Sequence, residues 1–70
     1  MSKYIVTAGN HSTDMGPYTF NSKREAKKFG RNLVEDGLPN GEGAYNIDTN
    51  DGRRIEREIK RKGQSWFSWF

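Results

Sequence analysis

The chain opens with two short patterns that favour β-strands. β-Branched and aromatic residues predominate at positions 4–8 and 17–20, and such residues suit a pleated sheet. Gly9-Asn10 ends the first pattern, and the polar residues 11–16 predict a loop. Pro17 stands at the start of the second pattern, where its missing N–H does least harm. We expect the two strands to pair as a hairpin.

A helix is predicted from Ser22 to about Asp36. Ser22 with Glu25 three residues later forms a capping box, a signal for a helix start. Gly37 is predicted to end the helix in the left-handed conformation. One face of the helix is apolar at the i, i+3, i+4, i+7 spacing that packs on a sheet: Ala26, Phe29, Gly30 and Leu33.

The second half of the chain contains three further strand patterns. Residues 44–49 predict a strand with Tyr45 and Ile47 facing inward, and Asn50-Asp51-Gly52 is a strong hairpin-turn signal. Residues 53–60 fit either a strand or a helix. We favour a strand, because β-branched residues follow an Asp-Gly turn; Ile55, Arg57 and Ile59 then face one way. Lys62-Gly63 turns into a last strand over residues 64–70.

The element order β-β-α-β-β-β predicts an α+β fold in one domain, residues 1–70. An antiparallel sheet of four to five strands should carry one helix on one face. A chain of 70 residues has a small core. We expect that core to use part of the aromatic tail together with five other rings: Tyr4, Tyr18, Phe20, Phe29 and Tyr45.

Composition excludes several classes of protein. The chain has no cysteine, which excludes a disulfide scaffold and a cysteine zinc site. No apolar run approaches the roughly 20 residues of a membrane span, and the first residues lack the apolar region of a signal peptide. We therefore expect an intracellular, cytoplasmic protein with no membrane partner.

The polar motifs do not indicate catalysis or a cofactor. His11, Ser12 and Asp14 lie within one short loop, whereas the partners of a hydrolytic triad come from distant segments. Residues 48–52 resemble a calcium loop, but the glycine comes one position early and Ile59 occupies the place of the bidentate Glu. We expect no enzyme activity, no cofactor and no metal.

The formal net charge is +3, and the cations are concentrated in two segments. The first group occupies an arc of about 140° on the predicted helix, where Lys27 and Arg31 are central. It can contact phosphates or can simply be solvated. Its members are Lys23, Arg24, Lys27, Lys28 and Arg31. The second group serves either binding or cross-strand ion pairing, since Glu56 and Glu58 lie within it. Its members are Arg53, Arg54, Arg57, Lys60, Arg61 and Lys62, of which all but Arg54 are candidate binding residues.

An aromatic tail follows the second basic segment directly. Trp66, Trp69 and Phe70 are candidate anchors for a protein interface or a stack of bases. In a two-layer fold only one sheet face is covered, so part of the tail should be exposed. We expect Trp66 to be packed, and Trp69 and Phe70 to be at least partly exposed.

In layout the chain resembles certain small phage-encoded proteins, the type I-F anti-CRISPR proteins of about this length. The shared features are Tyr4-Ile5 near the start, an Ala26-Lys27 helix after a hairpin, Ile47-Asp48-Thr49 leading to a Gly52 turn, and Gly63 shortly before Trp66. Such proteins bind an RNA-guided surveillance complex and block target DNA. The matches fall on structural positions, so the resemblance transfers no site residue.

These observations predict a non-enzymatic binding module, an accessory or host-modulating protein of the phage type. Its expected partner is a host protein or nucleoprotein complex that handles nucleic acid. One alternative is direct, weakly specific binding of DNA or RNA by the helix arc and the tail. A second alternative is a structural protein that pairs with its own copies. The oligomeric state does not follow from the sequence.

Overall fold

The computed structural model describes residues 3–68 and contains one helix and one sheet. The strands are β1 (Tyr4–Gly9), β2 (Asp14–Phe20), β3 (Gly43–Thr49), β4 (Arg54–Lys60) and β5 (Phe67–Ser68). They form an antiparallel five-stranded sheet in the order β2-β1-β3-β4-β5. The helix α1 (Lys23–Gly37) connects β2 to β3 and is followed by a short 3-10 turn, Pro39–Gly41. The predicted α+β class is confirmed.

The core lies between α1 and one face of the sheet. Alternate residues of β1 and β3 point into this layer, as the period of two in a strand requires. The helix contributes residues four apart, which lie on one side of it. The buried side chains are Val6 and Ala8 of β1, Tyr45 and Ile47 of β3, Ala26 and Val34 of α1, and Leu38 after the helix.

The helix begins as predicted but ends differently. The Ser22 hydroxyl accepts a hydrogen bond from the Glu25 N–H at 3.4 Å, as an N-cap does. Gly37, however, lies inside the helix, so the prediction that it forms a left-handed cap is wrong. The left-handed residues come later, at Asn40 (φ 61°) and Gly41 (φ 65°). The 3-10 turn that begins at Pro39 reverses the chain in place of a glycine cap.

The strands at the two sheet edges differ in length from the prediction. β2 begins at Asp14 instead of residue 17, because the hairpin remains paired up to Gly9 and Asp14. β5 is shorter than residues 64–70 and consists of Phe67 and Ser68, which pair with Ile59 and Glu58 of β4. Residues 69 and 70 lie outside the described part of the chain.

A register shift between β3 and β4 changes which side chains of β4 face the helix. Asp48 pairs with Arg54 whereas Ile47 pairs with Glu56, so Ile55 is an extra residue in β4. Ile55 therefore packs against the core and does not share a face with Arg57 and Ile59, as the sequence pattern predicted. Beyond the shift, β4 directs its two glutamates to the helix side of the sheet, and Arg57 and Ile59 to the other side.

The edge near β2 is held by aromatic contacts. The ring centroid of Phe29 lies 4.9 Å from that of Tyr18 and 4.9 Å from that of Phe20. Tyr18 was expected in the core but is 40% exposed, because β2 is an edge strand and the ring covers Phe29 from outside. Phe29 is accordingly half-buried.

Candidate binding surfaces

Helix α1 carries the five predicted cations, but two of them are turned toward the sheet. Lys27 Nζ lies 3.8 Å from Glu56 Oε1. Arg31 donates from Nε to Glu58 Oε1 and from Nη2 to Glu58 Oε2, both at 2.9 Å. This forked geometry is the strongest that an arginine makes with a carboxylate. The two cations expected to contact phosphate most strongly are thus already bound to carboxylates of the protein.

Glu58 is a buried carboxylate whose hydrogen bonds are supplied by α1 and β3. The residue is 5% exposed, and it accepts from Arg31 and from the Tyr45 hydroxyl. Burial by itself would raise the pKa of Glu58, but the two donors and the positive charges of Arg31 and Lys27 outweigh burial and hold the pKa below its ordinary value of 4.5. The hydrogen bond to Glu58 also raises the pKa of Arg31. Burial, followed by the hydrogen bond to Glu58, raises the pKa of Tyr45. The carboxylate therefore stays ionised at neutral pH.

Trp66 fixes the C-terminal segment to the same cluster. Its ring centroid lies 5.5 Å from that of Tyr45 in an edge-on arrangement, and Arg31 Cζ lies 5.6 Å from the Trp66 ring centroid. The indole Nε1 donates to Glu35 Oε2 at 3.3 Å, and Lys60 Nζ donates to the same oxygen at 3.3 Å. These two donors lower the pKa of Glu35. The expectation that Trp66 is packed agrees with this geometry.

Four of the five helix cations line one groove of about 340 Å³ together with Trp66, which is far from them in the sequence. This groove is here called the helix groove. It runs between α1 and the indole of Trp66. Its lining residues are Arg24, Lys27, Lys28, Arg31, Asn32, Glu35 and Trp66. The fold therefore joins the first basic segment to the start of the aromatic tail.

The opposite face of the sheet has no covering element within residues 3–68, and one end of it lines a concavity of about 880 Å³, here called the sheet concavity. The β1–β2 turn and the segment after α1 complete its lining. The small residues Gly9 and Ala44 are register neighbours and form part of its lining, with Ile59 beside Ala44. Its cations are Arg57, Lys60 and Arg61, and its carboxylates are Asp14 and Glu42. Because Lys60 also pairs with Glu35, the concavity is close to charge balance.

The other predicted site residues are distributed around the molecule. Lys23 is exposed on α1 outside the helix groove, and Arg53 is exposed in the turn between β3 and β4. Lys62 is exposed in the turn before β5 and does not line the concavity that its neighbour Arg61 lines. Trp69 and Phe70 lie outside the described residues.

Sequence analysis missed the role of Glu58, Glu56 and Tyr45 as the polar partners of the helix. From the sequence, Glu56 and Glu58 were expected at most to form cross-strand ion pairs within the basic segment, not to pair with the helix. A two-residue alternation does place them on one face of a strand. That this face is the one covered by α1 depends on the pairing with Ile47 and Tyr45, which is a long-range contact.

In the described part of the chain, no helix has the length and apolar character needed to cross a membrane. Residues 3–68 also contain no group of three or more metal-binding side chains. No known protein family, curated protein or solved structure matches this chain.

Proposed function

We propose that this protein is a non-enzymatic binding module of the phage-type accessory kind. It docks through the sheet concavity on a protein component of machinery that handles nucleic acid. The observation that carries the proposal is the sheet concavity, a volume of about 880 Å³ lined by the uncovered end of the sheet, the β1–β2 turn and the segment after α1. Arg57 and Arg61 of the second basic segment line this surface together with apolar side chains, whereas the Lys60 ammonium is paired with Glu35 of α1 on the other side.

The chemistry of the concavity favours a protein partner over a polyanion. Protein surfaces that bind nucleic acid carry an excess of cations, whereas the lining of the concavity contains the carboxylates Asp14 and Glu42 as well as Arg57 and Arg61. Ala44, Ile59 and two prolines add apolar area between the charges. A mixture of arginine, apolar side chains and a polar rim is typical of protein–protein interfaces.

The layout resemblance to type I-F anti-CRISPR proteins supplies the first partner to test. Proteins of that kind bind an RNA-guided surveillance complex, which contains both protein and nucleic acid. An inhibitor of such a complex needs a surface for its protein subunits. The sheet concavity, with its mixed charges and apolar side chains, is the surface that we propose for that contact.

The test compares two neighbouring charge reversals. Arg61→Glu alters the concavity, and Lys62→Glu makes the same change one residue away, outside it. Each protein is immobilised and exposed to bacterial lysate, with and without nuclease treatment, and to a purified type I-F surveillance complex. Wild type and Lys62→Glu should capture the same protein, and Arg61→Glu should lose it. Capture that disappears with nuclease, or that responds equally to both variants, would contradict the proposal.

A further inference from the structure

We propose that the helix groove is a second binding site, which takes the phosphate groups of a nucleic acid strand. It lies on the side of the sheet that α1 covers, away from the sheet concavity. Its residues come from α1 and from the segment before β5. The proposal stands on its own charges and geometry and does not depend on a protein partner.

The charges of the helix groove are only partly matched by carboxylates. Lys27 and Arg31 are held by the glutamates of β4 that lie beneath them, and Glu35 is held by Lys60. Arg24 and Lys28 are exposed, and within residues 3–68 neither forms an ion pair. The excess positive charge of the groove therefore belongs to these two side chains.

Arg24 and Lys28 also repel each other along the helix. They lie four residues apart, which places them side by side on one face, and like charges at this spacing destabilise a helix. Lys27 and Arg31 have the same spacing, but the carboxylates of β4 offset their repulsion. A bound anion would offset the repulsion between Arg24 and Lys28.

The walls of the groove are held in place before any ligand arrives. Glu58 fixes the Arg31 guanidinium in a fork, and Tyr45 and Glu35 fix the indole of Trp66. A preformed site loses little side-chain entropy on binding. The groove has an aromatic ring beside exposed cations, the combination that single-strand binding proteins use.

Phosphates of a nucleic acid strand fit this arrangement better than an isolated anion. A strand presents one phosphate per nucleotide, so it can contact Arg24 and Lys28 at the same time. Arginine donates a pair of parallel hydrogen bonds to phosphate oxygens, and lysine binds phosphate as a point charge. Asn32, exposed in the same lining, adds amide donors.

The test uses purified protein and fluorescently labelled oligonucleotides, one single-stranded and one duplex of the same sequence. Anisotropy titrations over a series of salt concentrations give the slope of log K against log salt. The variant Arg24→Gln with Lys28→Gln should make that slope less negative by about 2, since each phosphate contact contributes about 1. The matched control, Lys23→Gln with Lys62→Gln, removes the same charge outside the groove and should change the slope by less than half as much.

All four substitutions are at exposed positions, and circular dichroism checks that each variant is folded. Binding of either oligonucleotide that depends on Arg24 and Lys28 supports the proposal. Three results would overturn it. In the first, wild type binds neither oligonucleotide. In the second, the control variant binds as weakly as the Arg24→Gln, Lys28→Gln variant. In the third, polyglutamate competes as well as the oligonucleotide at equal charge.

Discussion

Glu58 is a charged residue whose side chain faces the core, because side chains alternate between the two faces of β4. It lies beside Tyr45 in the layer under α1, where an apolar residue would cost nothing to desolvate. Leaving a carboxylate there without partners would cost several kcal/mol. Arg31 and Tyr45 supply those partners, so Glu58 determines the orientation of a helix cation and the environment of a buried ring.

The first prediction concerns the dependence of stability on pH. The pKa of Glu58 is depressed in the folded state, so its contribution is present above the ordinary value of 4.5 and is lost as pH falls through the lower folded value. Glu58→Gln removes this contribution. We expect the variant to be less stable at pH 7 by about 2 kcal/mol, an estimate reduced because Arg31 is partly exposed. The difference from wild type should shrink as pH falls below 4.5, through the lowered pKa of Glu58. Urea denaturation at several pH values measures it.

Glu56→Gln is the matched control for Glu58→Gln. Glu56 lies on the same strand and face, but its contact with Lys27 is 3.8 Å long and is not forked. We expect it to cost about 0.5 kcal/mol, in the range of partly exposed ion pairs. If Glu58→Gln loses stability on acidification as steeply as wild type does, Glu58 is not the titrating group.

The second prediction concerns the Tyr45 hydroxyl. Tyr45→Phe keeps the buried ring and removes one donor to the Glu58 carboxylate. A hydrogen bond to a charged group contributes about 1.5–3 kcal/mol, and we expect a loss of that size in the free energy of unfolding. Thermal or urea denaturation at neutral pH measures the loss. A variant as stable as wild type would show that Arg31 alone satisfies Glu58.

At the scale of elements, α1 approaches β3 most closely at Gly30. A Cβ at this position would lie 2.6 Å from Cδ1 and 2.7 Å from Cγ of Tyr45, whose ring is fully buried and cannot move aside. The third prediction follows from this contact. Gly30→Ala gains about 1 kcal/mol of helix propensity but should still destabilise the protein by roughly 1–2 kcal/mol, because overpacking outweighs the gain.

Gly37→Ala is the control for Gly30→Ala on the same helix. Its Cβ would meet the flexible end of Met15 at 3.3 Å from Cε, and its backbone is helical. We expect a change within about 0.5 kcal/mol. Melting temperatures of the two variants make the comparison. Equal effects would mean that propensity, and not contact with Tyr45, governs both sites.

The elements that could be predicted are those whose signals are local. The Ser22 cap, the apolar face of α1 and the alternation around Tyr45 and Ile47 depend only on neighbouring residues. The predictions are wrong where a long-range contact determines the local structure. The facing of Ile55 depends on the register between β3 and β4, and the end of α1 depends on the 3-10 turn after Gly37.

At the scale of the whole molecule, the two sides differ in charge. The helix side carries the excess of Arg24 and Lys28 beside Trp66, and the open side is concave and nearly balanced. The sequence indicates both basic segments and Trp66 as candidate binding residues. It could not show that Lys27 and Arg31 are bound to β4, because Glu56 and Glu58 are far from them in the chain.

This arrangement suits a protein that binds a nucleoprotein complex with both sides. The sheet concavity would contact a protein subunit, and the helix groove would contact a strand of nucleic acid. The two contacts should respond differently to salt. Affinity for a strand falls steeply as salt rises, whereas a protein contact with balanced charge changes little.

The most direct test of docking through the sheet concavity is to fill its floor. Ala44→Arg places a long side chain between Gly9 and Ile59, and Thr19→Arg makes a matched change at an exposed position outside the concavity. The affinity of each folded variant for the captured protein partner is measured by calorimetry. The account predicts that Ala44→Arg weakens binding at least about tenfold, or 1.4 kcal/mol, and that Thr19→Arg binds like wild type. Unchanged affinity of Ala44→Arg would contradict it.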